Sequence, residues 1–194
     1  MASRLQTVLK AIDTANNADP VVDPGTARPR AILYGERMSE RLAVFNAGAS
    51  EALLIAARAQ HIERWLVPRE TYPKGRIGYL RWRKDLQRHH AKRTAAIMRE
   101  AGCNVELIDR VESLILKRDL RSDVEVQTLE DVACLVFLEF EAPAFIAKHS
   151  DDKVRDILAK TAGKMSPRGL MAATQLALDP RLSRLFREAI AGPS

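Results

Sequence analysis

Between Ser50 and Trp65 the chain carries Leu53, Leu54, Ile55, Ala56, Ala57 and Ala59 with so few polar interruptions that a helix built from them has almost no wet face. Such a helix is stable only when other elements enclose it, so the rest of the chain must supply a shell. The material for that shell reads as helical too. Apolar residues recur at three- and four-residue spacing in the sets Leu5, Val8, Leu9, Ile12 and Ile32, Leu33, Met38, Leu42, Phe45. The same spacing returns in Ile77, Leu80, Leu86, Ile97, Met98 and in Val105, Ile108, Val111, Leu114, Ile115. Ala, Leu, Arg and Glu dominate while aromatics reach only 5%, a balance that favours helix over strand.

Local punctuation sets the expected ends. Asn16 and Asn17 close a first helix over 3–16, and three prolines with a glycine make 19–29 a loop. A second helix spans 30–45, with Gly48 supplying a left-handed stop. Ser50 caps the central helix over 51–66, and Val67-Pro68 ends it. A proline-broken loop leads to a long helix over 77–101, stopped by Gly102, and Asn104 caps the next as far as Arg118. A polar link follows. Thr128 and Asp131 then form a T-x-x-D cap for 129–141, which decides for helix over buried strand in that apolar run. Ser150, Ser166-Pro167 and Asp179-Pro180 start 151–162, 167–177 and 180–190. The expected fold is all-α: a single globular multi-helix domain over 1–194, with an N-terminal helix and proline-rich loop (1–28) and a C-terminal helical extension (150–194).

At 194 residues the chain can bury a sizeable core, and its 46% apolar and 29% charged content is that of an ordinary globular protein. Cys103 and Cys134 are too far apart for a CxxC unit and suit a reduced, intracellular setting. No apolar run approaches the roughly 18 residues of a membrane span, and the first residues lack the apolar core of a secretory signal. A cytoplasmic protein without a membrane partner is expected.

The charge is concentrated. Net charge is +6, yet Arg58 to Arg93 alone holds eleven Lys or Arg against three acids. A focused positive field gathers anionic ligands, and the guanidinium fork suits phosphate oxygens, which nominates Arg58, Arg64, Arg69 and Arg81 as phosphate-binding residues. Trp65, Tyr72, Tyr79 and Trp82 lie among them as a base-stacking surface would require, so RNA is a second expected class of partner. The competing reading is a solvated basic rim whose arginine stems cover apolar surface.

Three histidines fall in the same stretch. Histidine is the usual nitrogen ligand of transition metals, and His61, His90 and Asp131 are the candidates to converge on a divalent ion. On a 51–66 helix, Arg58, His61 and Trp65 would share one side. His90 fits the buried stripe of its helix better than His89, about 100° away. The competing readings are hydrogen-bonded core histidines and an Asp131 that caps its helix. There is no GxGxxG, P-loop, HExxH or GxSxG sequence, and neither cysteine adjoins a histidine.

In order, YGERMSERL, AARAQHIERW, HHAKRTAAIMREAG and LEDVACLVFLE resemble the successive ligand-bearing helices of the HD-domain superfamily of metal-dependent phosphohydrolases. That resemblance implies an HD-domain-like fold and a metal held by His61, His90 and Asp131. It also implies a pocket lined by Tyr34, Arg37, Trp65, Trp82 and Glu130, and a nucleotide or other phosphoester as substrate. Tyr34 stands where the superfamily has its first histidine and Ile62 where it has the aspartate of the His-Asp pair. QHIERW, PRETYP and GYLRWR further resemble an uncharacterised bacterial and fungal family over about 8–190. Two functions are expected from these signs: a phosphohydrolase, or a non-catalytic nucleotide-, phosphate- or RNA-binding module with a degraded metal site.

Overall fold

The computed structural model of the chain describes residues 3–120 and 122–191. Residues 1–2 of the expected N-terminal segment, Arg121 of the polar link and the last three residues of the C-terminal extension lie outside the described residues. Ten α-helices account for most of the rest: α1 Arg4–Asn16, α2 Arg30–Phe45, α3 Glu51–Arg58, α4 Gly75–Glu100, α5 Val105–Ile115, α6 Val124–Val136, α7 Ala142–Ile146, α8 Asp151–Ala162, α9 Pro167–Thr174 and α10 Pro180–Ala191. No strand occurs among the described residues, so the all-α expectation holds. The chain divides into two compact units, Met1–Val126 and Gln127–Ser194, with the boundary inside α6.

In the first unit α3 is the centre. It packs against α1, α2 and α5, while α4 packs against α1 and α5. Leu53, Ile55, Ala56 and Ala57 have no exposed surface, as a helix apolar almost all round requires. Capping follows the expected chemistry at several ends. Ser3 and Gln6 form a reciprocal capping box on α1, Ser50 Oγ accepts from Leu53 N–H, and Asn104 Oδ1 accepts from Leu107 N–H. Asp19 serves the loop before α2, its carboxylate accepting from Val21 and Ala31 N–H at 2.9 Å each.

Three expectations in this unit need correction. The central helix does not run to 66: it ends at Arg58, and a turn with two short 3₁₀ segments, Arg64–Leu66 and Arg69–Thr71, replaces its second half. The shared side for Arg58, His61 and Trp65 therefore does not exist. In α4 the buried stripe is turned. The difference lies in its first turns: Ile77 and Leu80 are 86% and 55% exposed, with Gly78 and Trp82 facing inward in their place, while Leu86, His90, Ile97 and Met98 are buried as expected. The cause is tertiary, because Trp82 Nε1–H donates to Val67 O at 2.9 Å, and a Cβ on Gly78 would lie 1.9 Å from Pro73 O. Gly48 does not take a left-handed conformation, which among the described glycines falls to Gly75 and Gly102. A smaller difference closes α5 at Ile115, short of Arg118. Arg110 ties α5 to the start of α6 through Asp123 and Glu125.

The T-x-x-D cap also fails. Helix α6 begins earlier, with Asp123 Oδ1 accepting from Glu125 and Val126 N–H, which leaves Thr128 and Asp131 inside the helix. In the second unit α10 packs on α7 and α8, and α7 on α8. A turn of π-helix, Phe137–Glu141, joins α6 to α7. Pro143 explains it, since a proline lacks the N–H that an α-helix would donate four residues back. Ser166 Oγ caps α9 at Gly169 N–H and Asp179 Oδ1 caps α10 at Arg181 N–H, whereas Ser150 makes no side-chain cap to α8.

Candidate functional site

The turn that ends α3 collects polar groups from three helices. Glu63 has φ of 48°, a left-handed conformation that costs a non-glycine residue about 1 kcal/mol. It is held there from two directions. Its N–H donates to Asn16 Oδ1 of α1 at 3.0 Å, and its carboxylate accepts from Arg93 Nε of α4 at 3.0 and 3.1 Å. One residue earlier, Ile62 O lies 2.7 Å from His90 Nδ1 of α4.

That last contact assigns the His90 tautomer. A carbonyl can only accept, so Nδ1 carries the proton and Nε2 keeps its lone pair. Burial pushes the His90 pKa down to about 3; the Ile62 bond opposes this, and His89 and Arg64 add to it. The ring is therefore neutral at pH 7. His90 is 3% exposed, and its Nε2 has no hydrogen-bond partner. Buried polar atoms without partners are uncommon, and an active or binding site is one of their established causes.

His61 is of intermediate exposure by residue area, but its ring is closely surrounded. It stacks on Tyr34 with centroids 3.6 Å apart and lies 6.2 Å from the His90 ring. Burial first, then the charges of Arg64, His90, Arg83 and Lys117, hold its pKa well below the usual histidine value. Lys117, like Glu63, is left-handed, with φ of 55°. Two further buried atoms belong to the same neighbourhood and also lack partners: Nδ2 of Asn16, whose Oδ1 holds Glu63, and Nε2 of His89, whose ring lies 5.7 Å from His90. The site thus combines neutral histidines with a surrounding positive field.

The expected residues separate into those at this site and those used elsewhere. His61, His90 and Tyr34 are brought together, and Arg64 reaches them while its guanidinium sits 4.8 Å over the Trp82 ring. Arg58 is committed to the fold. Its Nε and a terminal nitrogen each lie 2.7 Å from an oxygen of Asp13. Arg69 donates to the carbonyls of Tyr72 and Pro73 and clamps its own loop. Arg81 is exposed, and Trp65 and Arg37 are of intermediate exposure.

Asp131 and Glu130 belong to the second unit. Asp131 is 2% exposed and fully engaged: it accepts from Ser166 N–H at 2.8 Å, Ser166 Oγ–H at 2.5 Å and Gln127 Nε2–H at 3.0 Å. A Cβ on Gly169 would lie 2.5 Å from its Oδ1. Glu130 is also buried, with Lys164 Nζ 3.9 Å away. Among the described residues no group of three or more His, Cys, Asp or Glu side chains is placed to hold a metal ion. Sequence reasoning missed Asn16, Glu63 and His89 as members of the site. Asn16 carried only the signal of a helix end, and its second role depends on a partner 47 residues away.

No curated protein and no solved structure matched the chain. The family model described as a domain of unknown function, DUF4202, matches residues 6–186. That range agrees with the resemblance of QHIERW, PRETYP and GYLRWR to an uncharacterised family, and almost the whole chain lies within it. The chain belongs to the DUF4202 family.

Proposed function

We infer that the first unit binds a phosphorylated small molecule of the nucleotide class at the His61–His90 site, as a binding module that needs no metal. The observation that carries this reading is the buried, unpartnered Nε2 of His90 beside a neutral His61. An acceptor in that position calls for a ligand that brings a hydrogen-bond donor, as a sugar hydroxyl or a base N–H does. Arg64, Arg83 and Lys117 add the positive field that a phosphate group needs. Tyr34, stacked on His61, offers an aromatic partner where a ligating side chain would otherwise stand.

A thermal-shift screen of nucleoside mono-, di- and triphosphates and inorganic phosphate, run with and without chelator, tests the reading. A nucleotide at a hundred times its dissociation constant stabilises the folded state by about 2.7 kcal/mol. The expected result is a rise in Tm that persists in chelator and disappears in His90→Leu. No shift from any nucleotide, with the protein folded, contradicts it.

A second reading, the metal-dependent phosphohydrolase, is favoured by one observation. His90 is oriented through Nδ1–H on a carbonyl with Nε2 left over, the arrangement in which histidines are commonly presented to metals. In that reading His61 and His90 would hold the ion, whereas Asp131 is engaged by Ser166 and Gln127. Elemental analysis separates the two readings. The hydrolase requires a bound divalent ion that is lost in His61→Ala; the binding module does not.

A further inference from the structure

The outward face of α4 combines exposed aliphatic side chains with a run of basic ones. At about 100° per residue, Ile77, Leu80, Arg81, Lys84 and Arg88 fall within a single arc of about 100°, opposite the buried Trp82 and Leu86. Ile77 is 86% and Leu80 55% exposed. Arg81 and Lys84 make no ion pair among the described residues, Arg88 pairs with Asp85 at 3.1 Å, and the first turn of α4 contains no acid. The face is firmly presented, because Trp82 is bonded to Val67 O and Gly78 is pressed against Pro73, whose carbonyl Arg69 holds at 2.9 Å. It is an aliphatic tip followed by a cationic stripe.

We propose that this face of α4 docks on an anionic lipid surface, with Ile77 and Leu80 entering the interface and Arg81, Lys84 and Arg88 meeting the headgroups. The chemistry selects lipid over other occupants. A single-stranded nucleic acid needs open aromatic faces, but here Arg64 covers Trp82 and Arg83 lies over Tyr79 and donates to its hydroxyl. The most exposed apolar side chains of the helix are aliphatic instead. A second copy meeting the same stripe would set cation against cation. A protein partner needs roughly 800 Å² of complementary surface on each side, which one convex helix edge does not offer. A fluid bilayer needs no shape complementarity, accepts aliphatic tips and attracts each basic residue. No described helix is long and apolar enough to cross a membrane. The expectation of no membrane partner rests on the lack of a spanning run, and contact with the surface alone departs from it.

Sedimentation of the full chain with vesicles tests this, using phosphatidylcholine alone or with about 30 mol% phosphatidylserine. The wild type is expected to pellet with the anionic vesicles only and to be released by salt. Arg81→Glu with Lys84→Glu should weaken binding at least about tenfold. Ile77→Ser with Leu80→Ser should weaken it about fivefold or more while leaving Tm unchanged, since both side chains are exposed. The proposal is overturned if the wild type does not bind anionic vesicles at low salt, or if the Ile77, Leu80 variant binds as the wild type does. It is equally overturned if single-stranded RNA binds through Arg81 and Lys84 while vesicles do not.

Discussion

Two buried polar centres in this chain are built on opposite terms. Around Asp131 both carboxylate oxygens have donors, from the main chain and hydroxyl of Ser166 and from Gln127. Around His61 and His90 the polar groups are incompletely matched: Asn16, His89 and His90 each keep a buried atom with no partner, and Glu63 and Lys117 adopt left-handed conformations. Both centres carry residues that sequence alone nominates as metal ligands. The satisfied one behaves as a structural anchor, tying α6 to the cap of α9 within the second unit. The unsatisfied one has the features expected of a site that meets a ligand, because unmatched buried groups destabilise a fold and persist where something else is gained.

The comparison is most easily broken at Asp131. Hydrogen bonds to a charged group contribute about 1.5–3 kcal/mol each, so Asp131→Ala should lower stability in urea by about 4 kcal/mol, and Asp131→Asn by roughly half of that, since an amide oxygen can still accept from Ser166. A loss below about 1 kcal/mol for the alanine variant would show that the carboxylate is not an anchor.

The histidine centre should show itself through pH. The unfolded chain takes up a proton on His90 near the ordinary value of 6.5, while the folded chain resists protonation until about pH 3. Stability is therefore undiminished above pH 6.5 and falls as the pH drops below it, by about 2 kcal/mol at pH 5 from His90 alone. His61, shifted in the same direction, adds to the slope. Urea unfolding between pH 5 and 7.5 measures this, and His90→Leu should flatten the dependence. The substitution itself should cost only about 1 kcal/mol at pH 7, because the bond to Ile62 O is lost together with the unpartnered Nε2. A wild-type stability that is level across this range would remove the claim that the histidines are held neutral.

What the sequence made legible is local physics. Ser50, Asn104 and Ser166 announce their helices through hydrogen bonds spanning three residues, and the apolar spacing of α1, α2 and α5 needs no distant partner. The all-α class and most helix positions follow from such signals. The misread features were set at a distance. Helix α3 stops at Arg58 while Asn16 and His90 hold the turn that follows it. The phase of α4 is fixed by Val67 and Pro73, so Ile77 and Leu80 face outward despite their apolar spacing. Asp131 reads as a cap or a ligand until Ser166, 35 residues later, claims it. Arg58 reads as a phosphate group's partner until Asp13 is seen beside it. His61 and His90, two of the three candidate ligands, lie with ring centroids 6.2 Å apart.

The most direct measurement is the long-range proton–nitrogen spectrum of the histidine side chains, recorded at pH 7 in chelator as a nucleotide is added. His90 should begin as a neutral ring protonated on Nδ1, and nucleotide should shift the Nε2 signals of His90 and His61. His149, which is exposed and stacked on Phe145 in the second unit, should stay in place. A doubly protonated His90 in the free protein, or nucleotide that leaves His61 and His90 unmoved, would contradict the assignment of this turn as the binding site.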